Sequence, residues 1–323
     1  MARIKILVTG GAGTLGRAFV RRATREGWPV DFTIFSRDPV KHQAMAREFP
    51  QCRFVLGDVL DAPTTWAAIS GHDIVIHAAA QKHIPEGERN PAECLAVNVQ
   101  GSINVAEACA RGGVRHLFAI STDKACRPVN TYGLSKLAME RVLQSMAARW
   151  EGVLSIRLLR YGNVLGSTGS VVSEWRRMAK ETGRVTATDP DMSRFWLTTD
   201  MAIDLIIAAG YQPSGTILVP LLPKLEMQTM ADYVIPGIPI SYSGLRPGEK
   251  RHEELLTPLE AQFAEPLLDL GPLNCRMVCL WPVTGKPRHD SYDLRFVRAE
   301  YGWRSDEAPR IEADDFARMI EAA

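Results

Sequence analysis

Short apolar, β-branched runs alternate with longer stretches of helical spacing through the first half of the chain. The runs at 4–9, 31–36, 53–56, 73–78, 115–121 and 154–159 predict strands, and the stretches 15–26, 39–49, 91–111 and 132–150 predict helices. Several of the strand runs are apolar throughout, the pattern of a sheet covered on both faces. Strand–helix alternation of this kind predicts an α/β fold with a parallel sheet between helices. After Gly162 the rhythm breaks and proline becomes frequent, as at Pro213, Pro220, Pro223, Pro236, Pro239 and Pro247. Residues 1–161 therefore read as one domain. Residues 162–323 read as a smaller, irregular region, mainly for substrate, with some segments returning to the first domain. The cleft between the two is the default ligand site.

Composition narrows the possibilities. The 323 residues are 46% hydrophobic and 23% charged, enough apolar material for a full core. Lys plus Arg is 38 and Asp plus Glu is 37, a net charge of +1, which argues against a dedicated nucleic-acid binder. It leaves room for a local basic pocket around one phosphorylated ligand. No apolar run approaches the ~20 residues that cross a bilayer, so no membrane association is expected. The N-terminus runs directly into a strand pattern without the features of a secretory signal, which predicts a cytoplasmic protein. The six cysteines are scattered. Cys275 and Cys279 are four apart, but no His or Cys cluster stands beside them, so reduced thiols and no metal site are expected.

The first strand run ends in Thr9-Gly10-Gly11-Ala12-Gly13-Thr14-Leu15-Gly16, and a helical pattern follows. Glycines at 10, 13 and 16 permit a tight strand-to-helix turn and close approach of the backbone to a pyrophosphate, which the helix N-terminus attracts. In that context the pattern predicts a Rossmann-type, doubly wound sheet binding a dinucleotide. About 20 residues further on, where NAD sites usually carry an acid, stand Ser36 and Arg37, with Lys41 one helical turn later. Arg pairs bidentately with phosphate, so this end of the strand predicts NADP. Asp38 leaves the alternative open, because its carboxylate could reach the ribose. Asp58 in Gly57-Asp58-Val59 can accept from the adenine amino group, and Ala78, Ala79 and Ala80 are small enough for close passage of the cofactor. His77, within an apolar strand, reads as a core histidine.

The fifth strand run ends in Ser121-Thr122-Asp123-Lys124, and Tyr132-Gly133-Leu134-Ser135-Lys136 follows. Tyr132 and Lys136 are four apart at a helix start and share a face. An ammonium beside a phenol favours the phenolate, which makes Tyr132 a candidate base for a hydroxyl proton. Asp123 beside Lys124 offers an acid–base pair of the kind that elimination of water requires.

Tyr-x-x-x-Lys at this distance from the nucleotide motif resembles the extended branch of the short-chain dehydrogenase/reductase superfamily. Ser121-Thr122-Asp123-Lys124-Ala125, Pro128-Val129-Asn130-Thr131-Tyr132-Gly133, His77-Ala78-Ala79-Ala80-Gln81-Lys82-His83, Arg160-Tyr161-Gly162-Asn163-Val164-Leu165-Gly166-Ser167, Met192-Ser193-Arg194-Phe195-Trp196 and Gly244-Leu245-Arg246-Pro247-Gly248-Glu249-Lys250 resemble the UDP-N-acetylglucosamine 4,6-dehydratases over roughly residues 3–256. The C5-inverting members of a pseudaminic-acid-type pathway are the nearest in pattern; retaining relatives tend to carry Met where Tyr132 stands. The resemblance implies oxidation at C4 with Tyr132 and Lys136 beside the cofactor, elimination of water across C5–C6 with Lys124 as candidate base and Asp123 as candidate acid, and hydride return to C6. The product would be UDP-2-acetamido-2,6-dideoxy-β-L-arabino-hexos-4-ulose. As a base, Lys124 should have a depressed pKa. Lys82, Thr122, Asn163, Val171, Arg194, Arg246 and Glu249 are implied on the substrate side, and a homo-oligomer, dimer or hexamer, is implied as the assembly.

The chain departs from the family pattern at Thr168, where Arg is usual, at Ser173, where Pro is common, and at Arg127, where Asn is frequent. Other readings are a C5-retaining dehydratase or 4-epimerase of the same fold, and a non-catalytic NADP-binding sensor. A 4-epimerase has no need of Asp123-Lys124, and a sensor has no need of Tyr132 and Lys136 at catalytic spacing.

Overall fold

The computed structural model describes residues 3–167, 169–267, 277–281 and 302–321. Thr168 and Cys275 lie outside the described residues. The first-half strands form as β1 (Ile4–Thr9), β2 (Val30–Ser36), β3 (Arg53–Leu56), β4 (Ile74–His77), β5 (His116–Ile120) and β6 (Ser155–Leu159). They pair in parallel in the order 3-2-1-4-5-6, which puts a change of winding direction between β1 and β4. Ligands sit at the carboxyl ends of such strands, beside that change. The helices α1 (Thr14–Arg25), α2 (Pro39–Glu48) and α3 (Ala62–Ile69) follow the first three strands. α1 packs on the helix Thr199–Ala209, while α3 packs on Gly101–Arg111, itself against Thr131–Arg149.

Three strands from the second half extend the same sheet. Ile217–Pro220 pairs in parallel with β6, then Met277–Leu280 and Ala264–Leu267 add antiparallel at the edge. The expected parallel sheet is therefore mixed at this end. Antiparallel addition needs no crossover helix.

The helix expected over 91–111 is broken into Pro91–Leu95, a π-helical turn at Ala96–Gln100, and Gly101–Arg111. The wider turn turns Asn98 onto the loop after β4. Its Oδ1 accepts from Gln81 N at 2.8 Å, and its Nδ2 donates to Gln81 O at 2.9 Å and Ser135 Oγ at 2.8 Å. Such bulges concentrate at functional sites. The helix Thr131–Arg149 starts on Asn130, whose side chain accepts from Gly133 N at 2.7 Å.

The helix Thr199–Ala209 and the strand Glu254–Leu256 join the main core, and other second-half elements build a separate apolar cluster. Its centre is Trp175, Met192, Trp196, Leu225, Met230 and Phe316, all buried. Among the described residues no helix is long and apolar enough to cross a membrane.

Candidate active site

A cavity of about 770 Å³ runs along the carboxyl ends of β1 to β6. Gly10, Gly13, Thr14, Leu15, Ser36, Arg37, Asp38, Lys41, Asp58, Val59, Ala78, Ala79 and Ala80 line one part of it, and Lys82, Thr122, Lys124, Tyr132, Lys136, Asn163 and Val171 another. Gly10 has φ +64°, and a Cβ there would lie 2.8 Å from the Ala79 backbone. Only glycine serves at that crossing. Gly16 stands apart from the cavity. A Cβ there would fall 2.1 Å from Gly11 O, so this glycine lets α1 close onto the turn before it.

The α1 N-terminus is capped by Gly13 without a side-chain bond, and its first turn has no acidic residue. An anion would meet the backbone N–H groups of the first helical turn and a favourable dipole there. At the end of β2 the Ser36 hydroxyl is buried without a hydrogen-bond partner among the described residues. Asp38 is committed locally: Oδ1 caps α2 by accepting from Val40 N and Lys41 N, both at 3.0 Å, and Oδ2 pairs with Lys41 at 3.3 Å. Arg37, exposed, lies 3.3 Å from Asp58 and 3.7 Å from Glu93. Asp58 also accepts from Leu60 N at 3.0 Å.

His77 is buried in β4, with Nδ1 2.7 Å from Thr9 Oγ1 and Nε2 2.8 Å from Ser102 Oγ. Burial pushes its pKa down to about 3, so it is a neutral core histidine, as the sequence suggests.

β5 delivers the catalytic candidates. Its end is braced from below: Ser121 Oγ donates to Glu140 Oε1 at 2.5 Å, and the fully buried Arg160 forks onto Glu140 at 3.0 and 2.6 Å and onto Glu260 at 3.0 and 2.8 Å. Both forks keep the buried guanidinium satisfied. A single 3₁₀ turn, Asp123–Ala125, then presents Lys124 to the cavity while Asp123 points inward. Asp123 is fully buried. Its Oδ1 accepts from Thr122 Oγ1 at 2.9 Å and Lys124 Nζ at 3.0 Å, and its Oδ2 has no hydrogen-bond partner among the described residues.

The charge state of Lys124 corrects one expectation. Burial works to lower its pKa, but the Asp123 and Glu253 carboxylates outweigh burial and hold it above the ordinary lysine value. Lys124 rests as an ammonium, with Asn163 Oδ1 accepting from it at 3.4 Å. Tyr132 also differs from expectation. Burial pushes its pKa up to about 12, against the pull of Lys124 and a hydrogen bond with Thr122. Lys136, four residues on, is buried and pushed down to about 8. Its Nζ donates to Ile120 O at 2.6 Å and lies 3.1 Å from Met139 Sδ. Lys124, not Lys136, is thus the cation that pulls the Tyr132 pKa down, and burial outweighs it.

A second cavity of about 450 Å³ shares Asn163, Gly169, Val171 and Trp196 with the first and is also lined by Arg194, Arg246 and Glu249. The second-half residues singled out in the sequence are brought together there. Arg194 is spent on backbone: it donates to Ser193 O at 2.8 Å, Arg251 O at 2.9 Å and Lys250 O at 2.8 Å. Glu249 accepts from Arg246 N at 3.2 Å.

Sequence reasoning missed Glu253, Asn98 and Trp196. Glu253 stands between His252 and Glu254 with no motif to single it out, and Trp196 entered only as part of the Met192–Trp196 motif. Asn98, a polar residue amid apolar helical spacing, was the one with a visible signal. Among the described residues no group of His, Cys, Asp and Glu could hold a metal ion.

Fold and cavity together define a Rossmann-type protein of the extended short-chain dehydrogenase/reductase class. The sequence profile of the family described as polysaccharide biosynthesis protein matches residues 6–268, and the chain belongs to that family. It is 37% identical over 258 residues to an inverting UDP-N-acetylglucosamine 4,6-dehydratase of Campylobacter jejuni, covering 78% of this chain and 77% of that one. It is 35% identical to a UDP-glucose 4-epimerase of Rickettsia conorii, covering 82% and 81%. Its structure is similar to that of Pen from Bacillus thuringiensis, with TM-score 0.86, 28% identity and coverage of 99% and 97%.

Proposed function

We propose that this chain is an NADP-dependent UDP-N-acetylglucosamine 4,6-dehydratase that inverts C5. The observation that carries the reading is the Lys124 ammonium on the cavity wall, backed by buried Asp123 at 3.0 Å and set beside Tyr132. Epimerisation at C4 leaves such a pair without a task. The Campylobacter relative supports the dehydratase over the epimerase reading.

The residues fit a dinucleotide. Gly10 leaves open the space a Cβ would fill, and the α1 N-terminus suits a pyrophosphate. The unpartnered Ser36 hydroxyl and the nearby Arg37 suit a ribose 2′-phosphate, while Asp38 is occupied as a helix cap. NADP, when bound, supplies the acceptor for the C4 hydride and returns it to C6.

Tyr132 rests as the phenol and must first release its proton to solvent, a step the Lys124 ammonium favours; as the phenolate it then takes the proton of the 4-hydroxyl. Lys124 enters as an ammonium and must pass its proton to Asp123 before it can take hydrogen from C5. Asp123, expected as the acid, points inward and does not line the cavity, so the lysine instead protonates the departing 6-hydroxyl, which leaves as water, and recovers its proton from Asp123. Inversion requires the new C5 proton on the opposite face, where Tyr132, protonated in the first step, is the candidate donor. Asn163, Val171, Arg246 and Glu249, around the second cavity, would receive the nucleotide end, with Arg194 holding that wall together. Lys82 and Thr122 would face the sugar side. A cytoplasmic setting and a homo-oligomer belong to the same proposal.

Incubation with UDP-N-acetylglucosamine in deuterium oxide tests it. The expected product has lost one water, carries one deuterium at C5 and has the L-arabino configuration, read by proton NMR before slow epimerisation. A D-xylo product formed first means a retaining dehydratase. An unlabelled sugar that keeps its 6-hydroxyl means an epimerase, and no change in the sugar means a sensor.

A further inference from the structure

Glu253 lies one residue before the strand Glu254–Leu256, on the segment that leads from the second cavity back toward the main sheet. Its side chain is only 4% exposed, yet it faces three cations: Lys124 on the 3₁₀ turn, Arg194 on the strand Ser193–Leu197, and Lys250 three residues earlier on its own segment. Oε1 is 3.6 Å from Lys124 Nζ and 4.0 Å from Arg194 Nε, and Oε2 is 3.9 Å from Lys250 Nζ. Oε2 has no hydrogen-bond partner among the described residues. A buried carboxylate with an idle oxygen is costly, and packing alone does not call for one.

The backbone of Glu253 is held on both sides. Its N donates to Ser305 Oγ at 2.9 Å, and its carbonyl accepts from Ser305 N at 2.8 Å. Ser305 is fully buried, and its hydroxyl donates to Ser193 O at 3.1 Å. Two of the facing cations are engaged elsewhere: Arg194 on three carbonyls, and Lys250 on Cys126 O at 2.7 Å. Lys124 alone of the three lines the larger cavity.

Building on the dehydratase reading, we propose that Glu253 is a positioning residue for Lys124. With Asp123 on the other side, it fixes Nζ between two carboxylates and keeps the amine protonated until substrate engages. The groups that face Lys124 are Asp123, Glu253 and Asn163, which favour the charged form, Arg194, which opposes it, and the Tyr132 phenol, whose own pKa Lys124 pulls down. Removing one of the two carboxylates should release the proton more easily. An opposite charge at this range moves a pKa by about one to three units.

Glu253→Gln keeps the shape and removes the charge, and Glu253→Asp draws the charge back by one methylene. Lys124 is titrated in the full chain by brief acylation across a pH series, with the Lys124 peptide quantified by mass against added N-acetyl-lysine. The labelling midpoint should fall by about one to three pH units in Glu253→Gln and by less in Glu253→Asp. In parallel, the basic limb of the kcat profile should move to lower pH with KM little changed. An unmoved midpoint in Glu253→Gln overturns the proposal. Should that variant not fold, an unmoved midpoint in Glu253→Asp does so. Labelling needs no turnover, so the two readings fail separately. A shifted midpoint in a protein that leaves UDP-N-acetylglucosamine intact sinks the dehydratase reading and sustains the Glu253–Lys124 link. Turnover with an unmoved midpoint does the reverse.

Discussion

Lys136 should weaken the folded protein at neutral pH, and removing its charge should stabilise it. The side chain is 3% exposed, and burial pushes its pKa from the ordinary 10.5 down to about 8. Below pH 8 the folded and unfolded states are both protonated, and the folded state bears the full cost of a buried ammonium. Between pH 8 and 10.5 the folded state releases its proton while the unfolded state keeps it, so stability rises with pH and the cost disappears. At 1.36 kcal/mol per unit, a shift of about 2.5 units corresponds to about 3 kcal/mol. Lys136→Met keeps a similar length, and the loss of the bond to Ile120 O takes back about 1 kcal/mol. The variant is therefore expected to be more stable by about 2 kcal/mol at pH 7, the balance of those two figures. That advantage should be gone by pH 10.5. Urea unfolding of both proteins at pH 7 and pH 10, without added cofactor, measures it. A variant that is less stable at pH 7, or a difference that does not change with pH, refutes the reasoning. A confirmed gain means the lysine is retained against stability, the usual mark of a site kept for function.

Tyr132→Phe should lower turnover by at least about a hundredfold, the scale of general base catalysis, while cofactor binding measured by fluorescence persists; near-normal turnover removes Tyr132 from the mechanism. The protein should bind NADP(H) more tightly than NAD(H) in calorimetry, and Arg37→Ala should shrink the difference, because its pairs with Asp58 and Glu93 are exposed and easily exchanged for a phosphate; equal affinities before mutation would defeat the phosphate-pocket reading. Arg127 has φ +43°, which accounts for the Asn frequent at this position in the family, since Asn tolerates the left-handed region. Arg127→Val should cost about 1–2 kcal/mol by thermal unfolding and Arg127→Asn nothing; a Val variant as stable as the parent would show that the loop relaxes.

Much of the architecture is legible along the chain, because it rests on short-range physics. Alternation of β-branched runs with helical spacing located β1 to β6 to within one or two residues, and the glycine turn placed the cavity at the end of β1. Glycine at position 10 answers a backbone crossing that no other residue tolerates, so the requirement is written in the residue type itself. Tyr132 and Lys136 share a helix face by their spacing alone. The antiparallel edge strands and the π-helical turn at Ala96–Gln100 were not visible, because both arise from what the chain packs against.

The charge states in the site belong wholly to the tertiary structure. Spacing set Asp123 beside Lys124, but a 3₁₀ turn turned one inward and the other to the cavity. Whether Lys124 is an ammonium or an amine depends on Glu253, which lies 3.6 Å away in space and far along the chain. The same holds for Arg194, a cation by sequence and a backbone brace by contact, and for Lys136, whose distance from water sets its pKa. Periodicity and turn chemistry act between near neighbours in sequence, so residue order determines them. Proton affinity follows burial and the separation of charges, and those distances exist only once the chain has folded.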